Sequence, residues 1–171
     1  IKYNSTGECE WAKVIGDSGA DNITSVAETS DGGIIAGGNF SSNSIDLGNG
    51  VSLTNKGNSD GMIIKYSAEG ECEWAKGIGG SSYDYIYSVA ETSDGGIIVG
   101  GDFESGSIDL GNGVILSNNS SSSSSTDGMI IKFEKTELPN PTTVQAKGTG
   151  GSEDDYIKSV AETSDGGIIA G

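Results

Sequence analysis

The stretch Ser25-Val26-Ala27-Glu28-Thr29-Ser30-Asp31-Gly32-Gly33-Ile34-Ile35 decides the fold, because the chain repeats it at 88–98 and again at 159–169. Two further blocks recur around it. Gly7-Glu8-Cys9-Glu10-Trp11-Ala12-Lys13 returns at 70–76, and Asp60-Gly61-Met62-Ile63-Ile64-Lys65-Tyr66 returns at 127–133, ending in Phe133. Periods of this size mark solenoids, propellers or arrays, in which one unit is copied and each copy buries a face on its neighbours.

Within the middle copy, Met62-Ile63-Ile64-Lys65-Tyr66 is β-branched and aromatic, as a strand requires. Cys72-Glu73-Trp74-Ala75-Lys76 alternates, which places Cys72 and Trp74 on one face and Glu73 on the other. A Gly-Gly/Asp turn at 79–84 leads into a third strand at 85–92. Asp94-Gly95 then signals a hairpin, read as a type I′ turn, with Asp31-Gly32 and Asp165-Gly166 as its counterparts. Ile97-Ile98-Val99-Gly100-Gly101 is apolar on both faces, so it is expected to be deeply buried. The Gly-Asn-Gly segments at 48–50 and 111–113 predict a short hairpin or an ordered loop.

Four strands per copy give twelve in all. The fold class expected is all-β, a β-propeller-type repeat of four-stranded antiparallel blades, three blades' worth in this chain. Residues 1–171 read as one repeat domain, with copies at about 1–38, 61–101 and 128–171 joined by loops 39–60 and 102–127. The copy spacing is 63 residues from Val26 to Val89 but 71 from Val89 to Val160, and the excess falls at 120–125 and 134–141. In the last copy the Cys and Trp positions become Thr143 and Gln145. Both chain ends lie inside the repeat, which reads as a mature product or a segment of a longer chain.

The Asp-led β run, the Cys/Trp strand, the Gly-Gly/Asp turn and the Asp-Gly hairpin into an apolar Gly-Gly strand follow one another in fixed order over nearly the whole chain. In this order the chain resembles the bacterial β-propeller repeats known as SBBP repeats. The resemblance implies secreted or cell-surface proteins, mostly of unassigned activity, and carries no catalytic residues to transfer. The extra loop and the low copy number depart from the family pattern. Three blades are too few to close a ring. Three arrangements stay open: an arc of a larger propeller, two chains pairing into a six-bladed ring, or sheets stacked as an open solenoid or filament.

Composition bounds the chemistry. Only 33% of residues are apolar, against an ordinary ~45–50%, and there are 29 glycines and 2 prolines. The formal charge is −16, with 25 acidic and 9 basic residues. Nucleic-acid binding needs a basic face to displace counterions from phosphate, so that class is excluded, as is docking on an anionic membrane. No run of about 18 apolar residues exists to insert in a bilayer.

There is no histidine, which removes Ser-His-Asp triads and His-based zinc sites. Phosphate-cradling glycine motifs are absent. Glu28, Glu91 and Glu162 are equivalent, as are Asp31, Asp94 and Asp165, and recurrence in every copy points to a structural job rather than to a catalytic pair. The chain is therefore read as non-enzymatic, with Trp11, Trp74, Asp31, Gly32, Asp94, Gly95, Asp165 and Gly166 as structural residues. Cys9 and Cys72 are equivalent and are read as two buried free thiols. No cofactor is expected.

Asp17, Asp21, Asp84, Asp154 and Asp155 read first as solvated turn carboxylates; hard cations take carboxylate oxygens, which makes them the candidates for calcium, but none matches the EF-hand spacing. Sequons at Asn4, Asn22, Asn39, Asn118 and Asn119 are possible glycan sites. The expected role is a structural or adhesive module that binds protein partners or itself, with loops 40–59 and 103–126 as contact candidates. The alternative is a carbohydrate- or calcium-binding lectin-like module.

Overall fold

A computed structural model describes residues 1–119, 125–135 and 143–171. Parts of the expected insertions at 120–125 and 134–141, together with part of the contact loop 103–126, lie outside the described residues. The protein is all-β, with sixteen strands in six small antiparallel sheets among the described residues. Twelve are the expected strands, and the other four form two hairpins in the Gly-Asn-Gly loops. No described helix is long and apolar enough to cross a membrane.

The chain opens with the two-stranded sheet β1 (Lys2–Tyr3) and β2 (Cys9–Trp11). The first four-stranded sheet contains β3 (Asp21–Glu28), β4 (Ile34–Phe40), β7 (Asp60–Tyr66) and β8 (Cys72–Ile78), in that order. Between β4 and β7 the chain makes the hairpin β5 (Ser44–Gly48) and β6 (Val51–Thr54). The second four-stranded sheet repeats the plan with β9 (Asp84–Glu91), β10 (Ile97–Phe103), β13 (Asp127–Phe133) and β14 (Thr143–Thr149). Its hairpin is β11 (Ser107–Asp109) with β12 (Ile115–Ser117). The chain closes with β15 (Val160–Glu162) paired to β16 (Ile168–Ala170).

Each four-stranded sheet straddles two sequence copies. The Gly-Gly strand β4 pairs with β7 of the next copy, from Ile34↔Tyr66 to Phe40↔Asp60. The sequence reading placed that strand last in its unit, which would leave it at a sheet edge. A strand apolar on both faces belongs at the centre, with a partner on either side, and β10 is buried at every position.

The Asp-Gly hairpins also differ from the expected type I′ turn. In the first, Gly32 N–H donates to Thr29 O at 2.8 Å and Thr29 N–H to Gly33 O at 2.9 Å. Gly32 is left-handed at φ 80°, while Asp31 is not among the positive-φ residues. This is a three-residue loop that needs one left-handed position, supplied by glycine. Asp31 keeps an ordinary backbone and spends its carboxylate locally, accepting from Thr29 Oγ1 at 2.6 Å and Gly33 N–H at 2.9 Å. Runs of three left-handed residues occur instead at Gly48-Asn49-Gly50 (φ 82°, 54° and 76°) and Gly111-Asn112-Gly113 (φ 85°, 52° and 78°).

The two large sheets pack on each other, chiefly through β4 and β3 against β9. Ile35 and Ile63 from the front of the first sheet share a core with Trp74, Ile78, Ile86, Val89, Ile97 and Val99. The close approach depends on Gly37: a Cβ there would lie 2.5 Å from Val89 Cγ1 and 3.0 Å from Ile86 Cγ2. The same device joins the second sheet to β15, where a Cβ on Gly100 would lie 2.6 Å from Val160 Cγ1. Missing side chains thus let one backbone receive the side chains of the next sheet.

Candidate assembly interface

The contacts between successive sheets recur residue for residue. Ser30 donates to Glu91 through its N–H at 2.7 Å and its hydroxyl at 2.9 Å. Ser93 does the same to Glu162 at 2.6 and 3.0 Å. Within each large sheet a lysine of the Met-Ile-Ile strand pairs with the aspartate of the hairpin turn: Lys65 with Asp31 at 3.0 Å, and Lys132 with Asp94 at 2.6 Å. The Thr29 hydroxyl, then Gly33 N–H and Lys65, hold the Asp31 carboxyl down at about 2. Asp94 is held still lower, by Lys132 first. The third member, Asp165, is lowered by Thr163 and Gly167 N–H, with no lysine among the causes.

The two small terminal sheets are complementary halves of the large one. By position, β1 and β2 correspond to β7 and β8, whereas β15 and β16 correspond to β3 and β4. In a complete sheet, strands of the β4 and β7 types pair with each other. Among the described residues β1 pairs only with β2, and β16 only with β15. Each half therefore presents an open edge of the type the other half supplies.

An open face accompanies the open edges. Trp11, Ile15, Ile23, Val26 and Ile34 line a cavity of about 470 Å³ on the back of the first sheet. Their counterparts one copy later, Trp74, Ile78, Ile86, Val89 and Ile97, are all in the buried core, covered by Ile35 and Ile63. Val26 is 65% exposed where Val89 is 5% exposed. The residue equivalent to Ile35 in the last copy is Ile169, which is 60% exposed.

The candidate calcium carboxylates are spent on loops. Asp21 accepts Ser41 N–H at 3.0 Å, Ser42 Oγ at 2.5 Å and Asp17 N–H at 3.0 Å. Asp84 accepts Ser105 Oγ at 2.6 Å and Gly80 N–H at 2.9 Å, and Asp155 accepts Gly151 N–H at 3.0 Å. Asp154 accepts Thr126 N–H at 3.1 Å. Asp17 enters the first of these turns through its backbone. No three acidic, cysteine or histidine groups gather into a cation site among the described residues.

Trp11 donates its indole N–H to Ala68 O at 2.9 Å and packs on Tyr66, while Trp74 is buried and offers no free ring face to a sugar. Cys72 is buried but Cys9 is exposed, which corrects the expectation of two buried thiols. The cause is the incomplete sheet around β2, whose counterpart β8 is covered by the β5–β6 hairpin. Of the sequon residues, Asn39 is 8% exposed and bonds Ser59, so it is closed to glycans in the folded chain.

Sequence reasoning located the repeated Glu and Ser positions but not that they bond across sheets. The signal available was that both positions shift together between copies, by 63 residues and then by 71. No protein-family model matches the chain, and no curated protein matches it.

Proposed function

We propose that the chain is a propeller-type structural repeat module whose terminal half-sheets are completed head to tail by another repeat unit, supplied by adjoining repeats of a longer chain or, for residues 1–171 alone, by a second copy. One observation carries this reading: the open β1 edge and its adjoining apolar cavity are the counterparts of surfaces that β4 and Ile35 fill inside the chain. Addition of a strand to an exposed edge is an established recognition mode, with backbone bonds giving affinity and side-chain pockets giving specificity.

The internal register dictates the external one. Ile168, Ile169 and Ala170 pair with the partner's Tyr3, Lys2 and Ile1, as Ile34, Ile35 and Ala36 pair with Tyr66, Lys65 and Ile64. Ile169 enters the cavity, Asp165 gains the partner's Lys2, and Ser164 gains the partner's Glu28. The interface is heterologous, so it forms open stacks or a ring according to the rotation per step. This role needs no catalysis. The repeated carboxylates serve turns and clamps, and a secreted or cell-surface scaffold or adhesion module follows from the likeness to SBBP repeats.

Sedimentation velocity tests the reading. The wild-type chain is expected to grow in mass with concentration, and Ile169→Asp to stay a monomer, because it removes the apolar side chain that fills the cavity and buries a charge in its place. Circular dichroism checks that the variant keeps its strands. A wild-type monomer at all concentrations contradicts the proposal, as does unchanged association of a folded Ile169→Asp.

A further inference from the structure

Most side chains that matter to this fold occur in every copy, but one row does not. Tyr83, Tyr85 and Tyr87 alternate along and just before β9, and their rings stack at 6.3 Å intervals with interplanar angles of 17° and 24°. Their counterparts are Ala20, Asn22 and Thr24 in the first copy, and Asp154, Tyr156 and Lys158 in the last. The repeat scaffold therefore does not require the row. With Tyr156 and Asp102 it lines an open pocket of about 340 Å³.

Asp102 is the unusual group there. It is 1% exposed, and among the described residues neither carboxylate oxygen has a partner at hydrogen-bond geometry. The Tyr87 hydroxyl and the Lys158 ammonium are its neighbours, and both favour its ionised form. The equivalent residue one copy earlier is Asn39, whose amide donates to Ser59 Oγ at 3.1 Å. An acid thus replaces a satisfied amide at the one copy that carries the tyrosine row. A buried anion supported only by the Tyr87 hydroxyl and the nearby Lys158 charge is costly, and a neutral ligand would only deepen its desolvation. A cation with N–H groups removes the cost. The ring faces already take such a group, since Lys158 Nζ lies 3.5 Å from the Tyr87 centroid and 4.3 Å from that of Tyr156. Glu104 adds a second negative charge at the lining.

We propose that this pocket binds the head of an organic cation, a primary ammonium or guanidinium group, held by the tyrosine faces with the Asp102 carboxylate accepting its N–H bonds.

The test is a titration with n-butylammonium, followed by the ring proton resonances of the tyrosines and by calorimetry. n-Butanol serves as the neutral control and tetramethylammonium as the cation without N–H. n-Butylammonium is expected to shift the Tyr85 and Tyr87 signals, tetramethylammonium to bind more weakly, and n-butanol not to bind. Asp102→Asn is expected to weaken n-butylammonium binding about tenfold or more. The first copy carries Asn at this place, so the scaffold accepts the change, and unchanged spectra elsewhere check it. Equal binding of n-butanol, an unaltered affinity in the folded Asp102→Asn variant, or no shift with n-butylammonium overturns the proposal. Tyrosine shifts caused by glucose alone, with the amine silent, overturn it in favour of a sugar site.

Discussion

Asp60 and Asp102 are carboxylates buried in a chain with only 9 basic residues. Burial pushes the Asp60 carboxyl up to about 6, against the Lys56 backbone N–H that holds its Oδ2 at 3.0 Å. Burial pushes Asp102 to about 6 as well. A carboxyl whose folded pKa lies above its unfolded value of 3.8 holds its proton more tightly in the folded state. Stability then falls as pH rises through the window from 3.8 to about 6. Asp31, held at about 2, works in the opposite sense: its contribution is present above 3.8 and is lost as pH falls toward 2. The chain is accordingly expected to gain about 1 kcal/mol from each of Asp60 and Asp102 between pH 7 and pH 5, and to lose stability below pH 4. Urea denaturation at pH 7, 5 and 3 measures this, and the double variant Asp60→Asn, Asp102→Asn should flatten the rise between 7 and 5. A wild-type profile that declines steadily from pH 7 would contradict the assignment.

At the scale of the element, the Gly-Gly strands set the distance between sheets. Gly37 receives Val89 and Ile86, and Gly100 receives Val160 and Ile157. Gly37→Ala is expected to destabilise the protein by about 1–3 kcal/mol, because the added methyl meets side chains already packed on the backbone. Thermal melting reads the loss, whereas Gly106→Ala, where a Cβ meets open space, is the neutral control. Most elements were legible from residue patterns. The alternation in Cys72–Ile78, the apolar run in Ile97–Phe103 and the paired turn glycines each predicted a strand or hairpin that the structure contains. The grouping into sheets was less visible, since a repeat has no beginning and any four consecutive strands form a unit on paper. The doubly apolar character of Ile34–Phe40 could have placed that strand at a sheet centre. The turn type was misread because Asp-Gly suits both two- and three-residue loops. The cross-sheet clamps depend on strand stacking, and the tyrosine pocket depends on Asp102 of β10 pairing across from Tyr85 of β9, neither of which leaves a local pattern.

At the largest scale, residues 1–171 run through a half-sheet, two complete four-stranded sheets and a complementary half-sheet. Exposed strand edges invite pairing, and proteins that do not use them protect them with charge, proline or a covering segment. Here the β16 edge ends in Ile168-Ile169-Ala170, and the apolar cavity beside β1 matches what Ile169 offers. The charge of −16 opposes non-specific association, so a contact that forms has to be specified by register and shape. Head-to-tail completion has a signature that no other mode of association shares. Amide hydrogen exchange as a function of protein concentration reads it most directly. Amides in Lys2–Tyr3 and Ile168–Ala170 are expected to become protected together as concentration rises, while the interior strands β4 and β10 stay protected throughout. Edges that exchange freely at every concentration, or protection that appears instead along β8 or β14, would contradict it.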